Sequence, residues 1–267
     1  MNKYGLPADN LLSATVALAN GSLVSANQTE NADLLWGLRG AGPNLGIVTS
    51  AVMRAYQVDH ERAGKYWAGE LVFSEEKLER FIEAMSELVL TKNMTVHFGF
   101  SHRRLDDPVV TAEIFYMYPD AAARREAFAS LYALEPEEDT TQVVSYSHLN
   151  DDTVAFCEKD GRRKPGWHTG LKVLDAAAFR EAWDLYVECV MATGATDSGV
   201  LVECYANEAI RRPGLGEDAA CAHREINFYT MTIPIYAADA LDSVAEAYGE
   251  ATREVWRRSS GFEQPRA

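Results

Sequence analysis

The sequence predicts an α+β protein in which an antiparallel or mixed β-sheet is covered by helices on one face. Three observations carry that reading. Short runs rich in β-branched and aromatic residues recur along the chain. Some are joined by hairpin-type turns, others by one helix whose apolar residues repeat every three or four positions. Alternating hairpins and helices disfavour a purely parallel sheet and gather the helices on one side, so the other face is left open. At 267 residues the chain can bury a large core as one domain or as two unequal ones.

The elements follow in order. Ala14 to Ala19 reads as a strand, Asn20-Gly21 as a hairpin turn, and Ser22 to Ala26 as the return. Asn31 is a candidate N-cap for a short helix with Leu34, Leu35 and Leu38 on its apolar face, closed by Arg39 and Gly40. After the break Gly40-Ala41-Gly42-Pro43, Gly46 to Val52 is β-rich. The charged connection Asp59-His60-Glu61-Arg62 marks a composition shift, and the domain boundary is placed there, between residues 1–58 and 59–267.

Beyond it, Tyr66 to Phe73 is a strand ending at Ser74, a candidate cap for a helix burying Leu78, Phe81, Ile82, Met85, Leu88 and Val89. Thr95 to Ser101 and Val109 to Tyr118 form a strand pair around the polar loop His102 to Pro108. Asp120 caps a helix carrying Phe128 and Leu131, and Gln142 to Tyr146 is a further strand. The polar stretch Asp151 to Pro165 reads as a mobile loop. Trp167 to Leu174 is strand-like, Asp175 caps a helix through Val190, and Gly199 to Tyr205 and Ile226 to Tyr236 are strands. The last helix runs from about Ala237 to Arg258.

Composition narrows the function. The net charge of −15, from 25 basic and 40 acidic side chains, repels phosphate backbones and anionic membrane surfaces, so no nucleic acid and no membrane partner is expected. Cys157, Cys189, Cys204 and Cys221 show neither a CxxC pair nor ligand spacing with histidine, and no metal site is expected. Sequons begin at Asn20, Asn27 and Asn93. MNKYGLPADN has neither a basic n-region nor an apolar h-region, and no later run is long enough to span a bilayer, so a cytoplasmic location is expected.

Candidate catalytic groups lie on the strands: His97, His168, Glu203, Tyr205 and Tyr229, with Trp167 beside them. Glu203 stands between Val202 and Cys204, and a carboxylate in an apolar strand needs a partner or a task. Alternation puts Leu201, Glu203 and Tyr205 on one side. His97, between Val96 and Phe98, reads equally as a satisfied strand histidine, and the aromatic residues read equally as packing groups.

Two segments go beyond patterning. Lys3-Tyr4-Gly5-Leu6-Pro7-Ala8-Asp9-Asn10-Leu11-Leu12 precedes the Asn20-Gly21 hairpin. It is followed by Glu30-Asn31-Ala32-Asp33-Leu34-Leu35-Trp36-Gly37-Leu38-Arg39-Gly40-Ala41-Gly42-Pro43-Asn44-Leu45-Gly46-Ile47-Val48-Thr49. Together they resemble the late part of the FAD-binding domain of berberine-bridge-like and 6-hydroxynicotine-oxidase-like FAD-linked oxidoreductases. The resemblance implies that residues 1–58 are a remnant of that domain and that 59–267 correspond to the substrate-binding domain. It also implies that Asp9, Asn10, Gly46, Ile47 and Val48 descend from FAD contacts, and His223-Arg224 before a strand is a further landmark.

In the family, a glycine-rich pyrophosphate loop and a flavin-linked histidine come before the Lys3-Tyr4-Gly5 motif, and a Y-x-N-Y segment follows the substrate domain. These 267 residues contain neither. Plant members carry a carboxylate on the strand after the His-Arg pair, whereas Asn227 to Tyr236 has none. The expectation is therefore a flavin-free relic with no cofactor, acting on a small secondary metabolite by isomerisation, cyclisation or epimerisation. The alternative is a fragment or subunit of an FAD-dependent oxidoreductase that needs a partner or missing residues to bind flavin. In either case a homodimer or partner chain is expected to cover the open sheet face.

Overall fold

The structure, a computed structural model, describes residues 1–57, 65–151, 160–212 and 219–263. Most of the stretch expected to be a mobile loop lies outside them. The chain forms two compact units: Met1–Asp59 with Ala206–Glu225, and His60–Tyr205 with Ile226–Ala267. The return of Ala206–Glu225 to the first unit has no signature in composition.

In the first unit, β1 (Leu11–Ala17), β2 (Leu23–Ala26) and β3 (Ile47–Met53) form an antiparallel sheet in the order β2-β1-β3. Ala14, Val16 and Ala26 are buried with Leu35 of helix α1 (Ala32–Ala41). Asn31 occupies the N-cap position but does not cap with its side chain. Its backbone is left-handed (φ 48°), and its amide donates to the Ser25 carbonyl at 2.7 Å. The expected stop at Arg39 and Gly40 is a kink, where both residues leave helical geometry before the helix ends at Ala41.

A buried ion pair closes this unit. Arg224 donates from Nη2 to Asp9 Oδ1 at 2.5 Å and from Nη1 to Asp9 Oδ2 at 3.2 Å. Their side chains are 12% and 4% exposed. The Leu6 N–H adds a third bond to Asp9 Oδ2 at 2.8 Å. Arg224 of the His223-Arg224 landmark thus fastens the turn at Pro7–Asn10.

The second unit holds β4 (Lys65–Ser74), β5 (Met94–Arg104), β6 (Asp107–Tyr116), β7 (Glu138–Asp139), β8 (Gln142–Ser145), β9 (Trp167–Leu171), β10 (Gly199–Tyr205) and β11 (Phe228–Ile233). They run β7-β4-β6-β5-β10-β11-β9, with β8 paired to β4, and every pairing is antiparallel. The choice between antiparallel and mixed resolves to antiparallel. β5 and β6 extend through most of the expected polar loop, with a tight turn at Leu105-Asp106.

Helices α2 (Leu78–Glu87), α3 (Ala121–Ala127), α4 (Ala129–Tyr132), α5 (Ala176–Thr193) and α6 (Asp242–Ser259) contribute to a core with one side of this sheet. Asp120 and Asp175 cap α3 and α5 through their side chains, as the sequence predicts. Ser74 makes no such bond, because the 3-10 turn Glu75–Lys77 precedes α2. Val96, Phe98, Phe100, Val110, Ala112, Ile114, Val200, Val202 and Cys204 meet Phe81, Phe179, Trp183 and Trp256 in the core. Each large side chain buried there contributes about 1.5–3 kcal/mol. With one parity of β4, β5, β6 and β10 committed to the core, the other parity forms the second face.

Candidate active site on the second sheet face

The second face carries a row of functional side chains in cross-strand register. Glu70 stands opposite Glu113, Glu113 opposite His97, His97 opposite Glu203, and Glu203 opposite Tyr229. Four of the five sequence candidates, His97, Glu203, Tyr205 and Tyr229, come together here. His168 lies on the same face, exposed, opposite Met231 at the edge strand β9. Trp167 belongs to the other face: its Nε1 donates to Glu250 at 3.0 Å, and its ring packs on Gly249. It is a packing residue.

Contacts bind the row into a chain of polar groups. His97 Nε2 lies 3.2 Å from the Tyr205 hydroxyl, and His97 Nδ1 lies 3.7 Å from Glu113 Oε2. Glu203, two residues before Tyr205 on the same side of β10, stands opposite His97. Burial first, and the Glu203 carboxylate second, push the Tyr205 hydroxyl well above the ordinary phenol range. Tyr205 therefore keeps its proton and acts as a donor. The His97 ring packs against Phe115 and Tyr205, with centroids 5.4 and 5.6 Å away, and Tyr229 lies edge-on to Tyr205 at 6.5 Å.

His97 and Glu113 are partly open to solvent, their side chains 23% and 39% exposed. Beside Glu113 a polar recess of about 240 Å³ opens, lined in part by Phe115, Gln142, His148 and Asp151. Glu113 and Glu70 were not among the sequence candidates. The signal was available for Glu113, which alternates with Ala112 and Ile114 as Glu203 does with its neighbours. Directly opposed carboxylates such as Glu70 and Glu113 cost stability on a sheet face. Among the described residues, no cluster of histidine, cysteine or carboxylate side chains has the arrangement of a metal site.

The residues expected from FAD contacts lie in the first unit. Asp9 is bound to Arg224 and Leu6 as described. The Asn10 amide donates to the carbonyls of Tyr4 (3.0 Å) and Leu6 (2.9 Å), and its oxygen accepts from the Tyr56 hydroxyl at 2.5 Å. Gly46 has φ +138°, and a Cβ there would stand 2.6 Å from the Ala17 carbonyl, so its glycine is required by close approach to β1. Ile47 and Val48 are exposed, as is every residue of β3.

No protein-family model matches the chain. The FAD-linked oxidoreductase tazG of Aspergillus terreus is 28% identical over 273 residues, covering 97% of this chain and 54% of that protein. The FAD-linked oxidoreductase afoF of Emericella nidulans is 30% identical over 263 residues, covering 97% and 53%. Among solved structures, a berberine bridge enzyme variant described as a reticuline dehydrogenase superposes with a TM-score of 0.78 at 16% identity, covering 99% of this chain and 54% of that one. The 6-hydroxy-D-nicotine oxidase of Arthrobacter nicotinovorans gives 0.71 at 20% identity, covering 97% and 56%.

The chain is a relative of the FAD-linked oxidoreductases. Its fold is that of the berberine-bridge-like and 6-hydroxynicotine-oxidase-like family, and it spans about half the length of the curated relatives it matches. Among the described residues, no helix is long and apolar enough to cross a membrane.

Proposed function

We propose that the second face of the larger sheet is a small-molecule site whose chemistry is proton transfer, in a flavin-free relic of an FAD-linked oxidoreductase. The observation that carries this reading is the linked set Glu113–His97–Tyr205, with Glu203 in register opposite His97, on one sheet face. Such a set can isomerise, epimerise or cyclise a small secondary metabolite that carries an acidic C–H beside a carbonyl. Glu203 takes the proton from carbon, the electron pair moves to the carbonyl oxygen, and the Tyr205 hydroxyl donates to that oxygen. His97, held by Glu113, returns a proton at the second position. Substrate and product have the same oxidation state, so no electron acceptor is required.

In this reading no step runs through flavin. Asp9 and Asn10 hold their own turn, Gly46 serves β1, and Ile47 and Val48 offer apolar surface. Their side chains carry no cation for a pyrophosphate, which leaves backbone N–H groups of the edge strand β3 as the donors. Incubation with 2-alkyl cyclic ketones in D₂O tests the chemistry. Solvent deuterium should enter the substrate carbon without added electron acceptor, and its absence across the series would refute the reading.

One observation favours a second reading, a subunit completed by a partner chain. β3 is an edge strand with no charged residue and all seven residues exposed, and such an edge invites another strand. The partner would then supply the flavin-binding half. A flavin spectrum gained only on co-purification with a second chain would favour it. A homodimer or partner over the His97 face is the competing use of that surface, and blocking of deuterium exchange by self-association would reveal it.

A further inference from the structure

Sequons stand at Asn20, Asn27 and Asn93, and the structure separates them. A sequon accepts an N-linked glycan where its asparagine lies on a surface loop and presents the side-chain nitrogen. Asn20 and Asn27 lie at the two ends of β2, in the turn that enters it and the loop that leaves it. Asn20 Oδ1 accepts from the Ser22 N–H at 3.0 Å and from the Ser22 hydroxyl at 2.7 Å. Asn27 Oδ1 accepts from the Thr29 N–H at 2.9 Å, the Thr29 hydroxyl at 3.0 Å and the Glu30 N–H at 2.9 Å. In both, the sequon's own hydroxyl holds the oxygen arm of the amide toward the backbone, and the planar group turns Nδ2 the other way. Among the described residues no acceptor takes either Nδ2. Asn20 is exposed, and a Cβ built on the neighbouring Gly21 would meet nothing within 4 Å.

Asn93 differs. It leads into β5, a central strand between β6 and β10, and Thr95 is paired with Phe115 on one side and Tyr205 on the other. Extended backbone sets positions two apart about 7 Å from each other, too far for the Thr95 hydroxyl to reach the Asn93 amide. Asn93 Oδ1 is buried and has no hydrogen-bond partner among the described residues.

The position of β2 gives the first two sequons a task. It is an edge of the smaller sheet, its four residues carry no charge, and Leu23 is 65% exposed. An uncharged edge is a template for pairing with another chain unless something covers it. Bulky hydrophilic glycans at both ends would do so.

We propose that Asn20 and Asn27 are N-glycan acceptors that shield the β2 edge, and that Asn93 is not an acceptor. The donor class is an oligosaccharide on a lipid pyrophosphate. Nδ2 bonds to the anomeric carbon, the bond from that carbon to the pyrophosphate oxygen breaks, and the displaced Nδ2 proton leaves with the lipid pyrophosphate. The inference implies passage through a glycosylating compartment, in place of the cytoplasmic location expected from the sequence. It does not depend on the chemistry assigned to the His97 face.

Peptide mapping of the protein from its native cells, released by peptide N-glycosidase in heavy-oxygen water, reads the sites directly, because each deglycosylated asparagine becomes a labelled aspartate. Label is expected at Asn20 and Asn27 and not at Asn93. The full chain secreted from yeast behind a leader supplies a second readout. By intact mass, Asn20→Gln and Asn27→Gln should each lose one glycan, and the double variant should carry none and aggregate faster than the wild type. Unlabelled Asn20 and Asn27 in the native protein, label at Asn93, or a glycan retained by the double variant would each overturn the proposal. An unchanged aggregation rate would refute the shielding of β2.

Discussion

Replacing Arg224 by Met removes the guanidinium and keeps most of the aliphatic stem. Asp9, 4% exposed, would then hold its charge with the Leu6 N–H alone. It would lose both guanidinium bonds, and Ile210 would lose the 2.9 Å bond to its carbonyl. Removing one partner of a buried ion pair costs about 3–5 kcal/mol, because the remaining charge is stranded. Asp9→Asn in the same chain relieves that charge, so the double variant should recover about 2 kcal/mol of the loss. Urea unfolding supplies the free energies, and amide exchange across Met1–Asp59 locates the effect in the first unit. A loss below about 1 kcal/mol would equal that of an exposed pair and refute the assignment of Asp9 to a buried structural role.

Other expectations follow from the same geometry. The Tyr186 hydroxyl donates to the Ser198 carbonyl at 2.9 Å, so His102 Nδ1–H donates to Tyr186 at 2.7 Å and leaves Nε2 buried without a partner. Burial lowers the His102 pKa, opposed by Asp107. The unfolded chain then binds more protons near its pKa of about 6.5, so stability should fall as pH drops through that value, and His102→Gln should flatten the dependence of melting temperature on pH. At Gly249, a Cβ would stand 2.2 Å from the Trp167 ring, so Gly249→Ala should destabilise by about 1–3 kcal/mol and shift Trp167 fluorescence. The purified protein should be colourless after dialysis, and a stoichiometric flavin band in the visible spectrum would contradict the flavin-free reading.

The sequence made the helix-covered sheet legible because strands and helices obey local periods. Val200, Val202 and Cys204 alternate with Leu201, Glu203 and Tyr205, and the structure puts the first set in the core. The same alternation separates His168 from Trp167, so those two side chains lie on opposite faces. The partnership of His97 with Glu113 was not legible, since it depends on β5–β6 register and on a turn tighter than the polar composition of His102 to Pro108 suggests. Nor was the pairing of Asp9 with Arg224, because their separation in sequence carries no local signal. Asn31 shows the limit of propensity. A good N-cap residue took a left-handed conformation and bonded to Ser25 instead.

The most direct test of proton-transfer chemistry on the His97 face compares deuterium incorporation by the wild type and Glu203→Gln, with 2-alkyl cyclic ketones in D₂O and no electron acceptor. Glu203→Gln keeps the shape and the hydrogen-bonding capacity of the side chain while removing the ionisable group. Wild-type protein should exchange the carbon-bound proton, and the variant should lose exchange with its melting temperature unchanged. Exchange retained by Glu203→Gln, together with a lowered melting temperature, would assign Glu203 to structure and contradict the account.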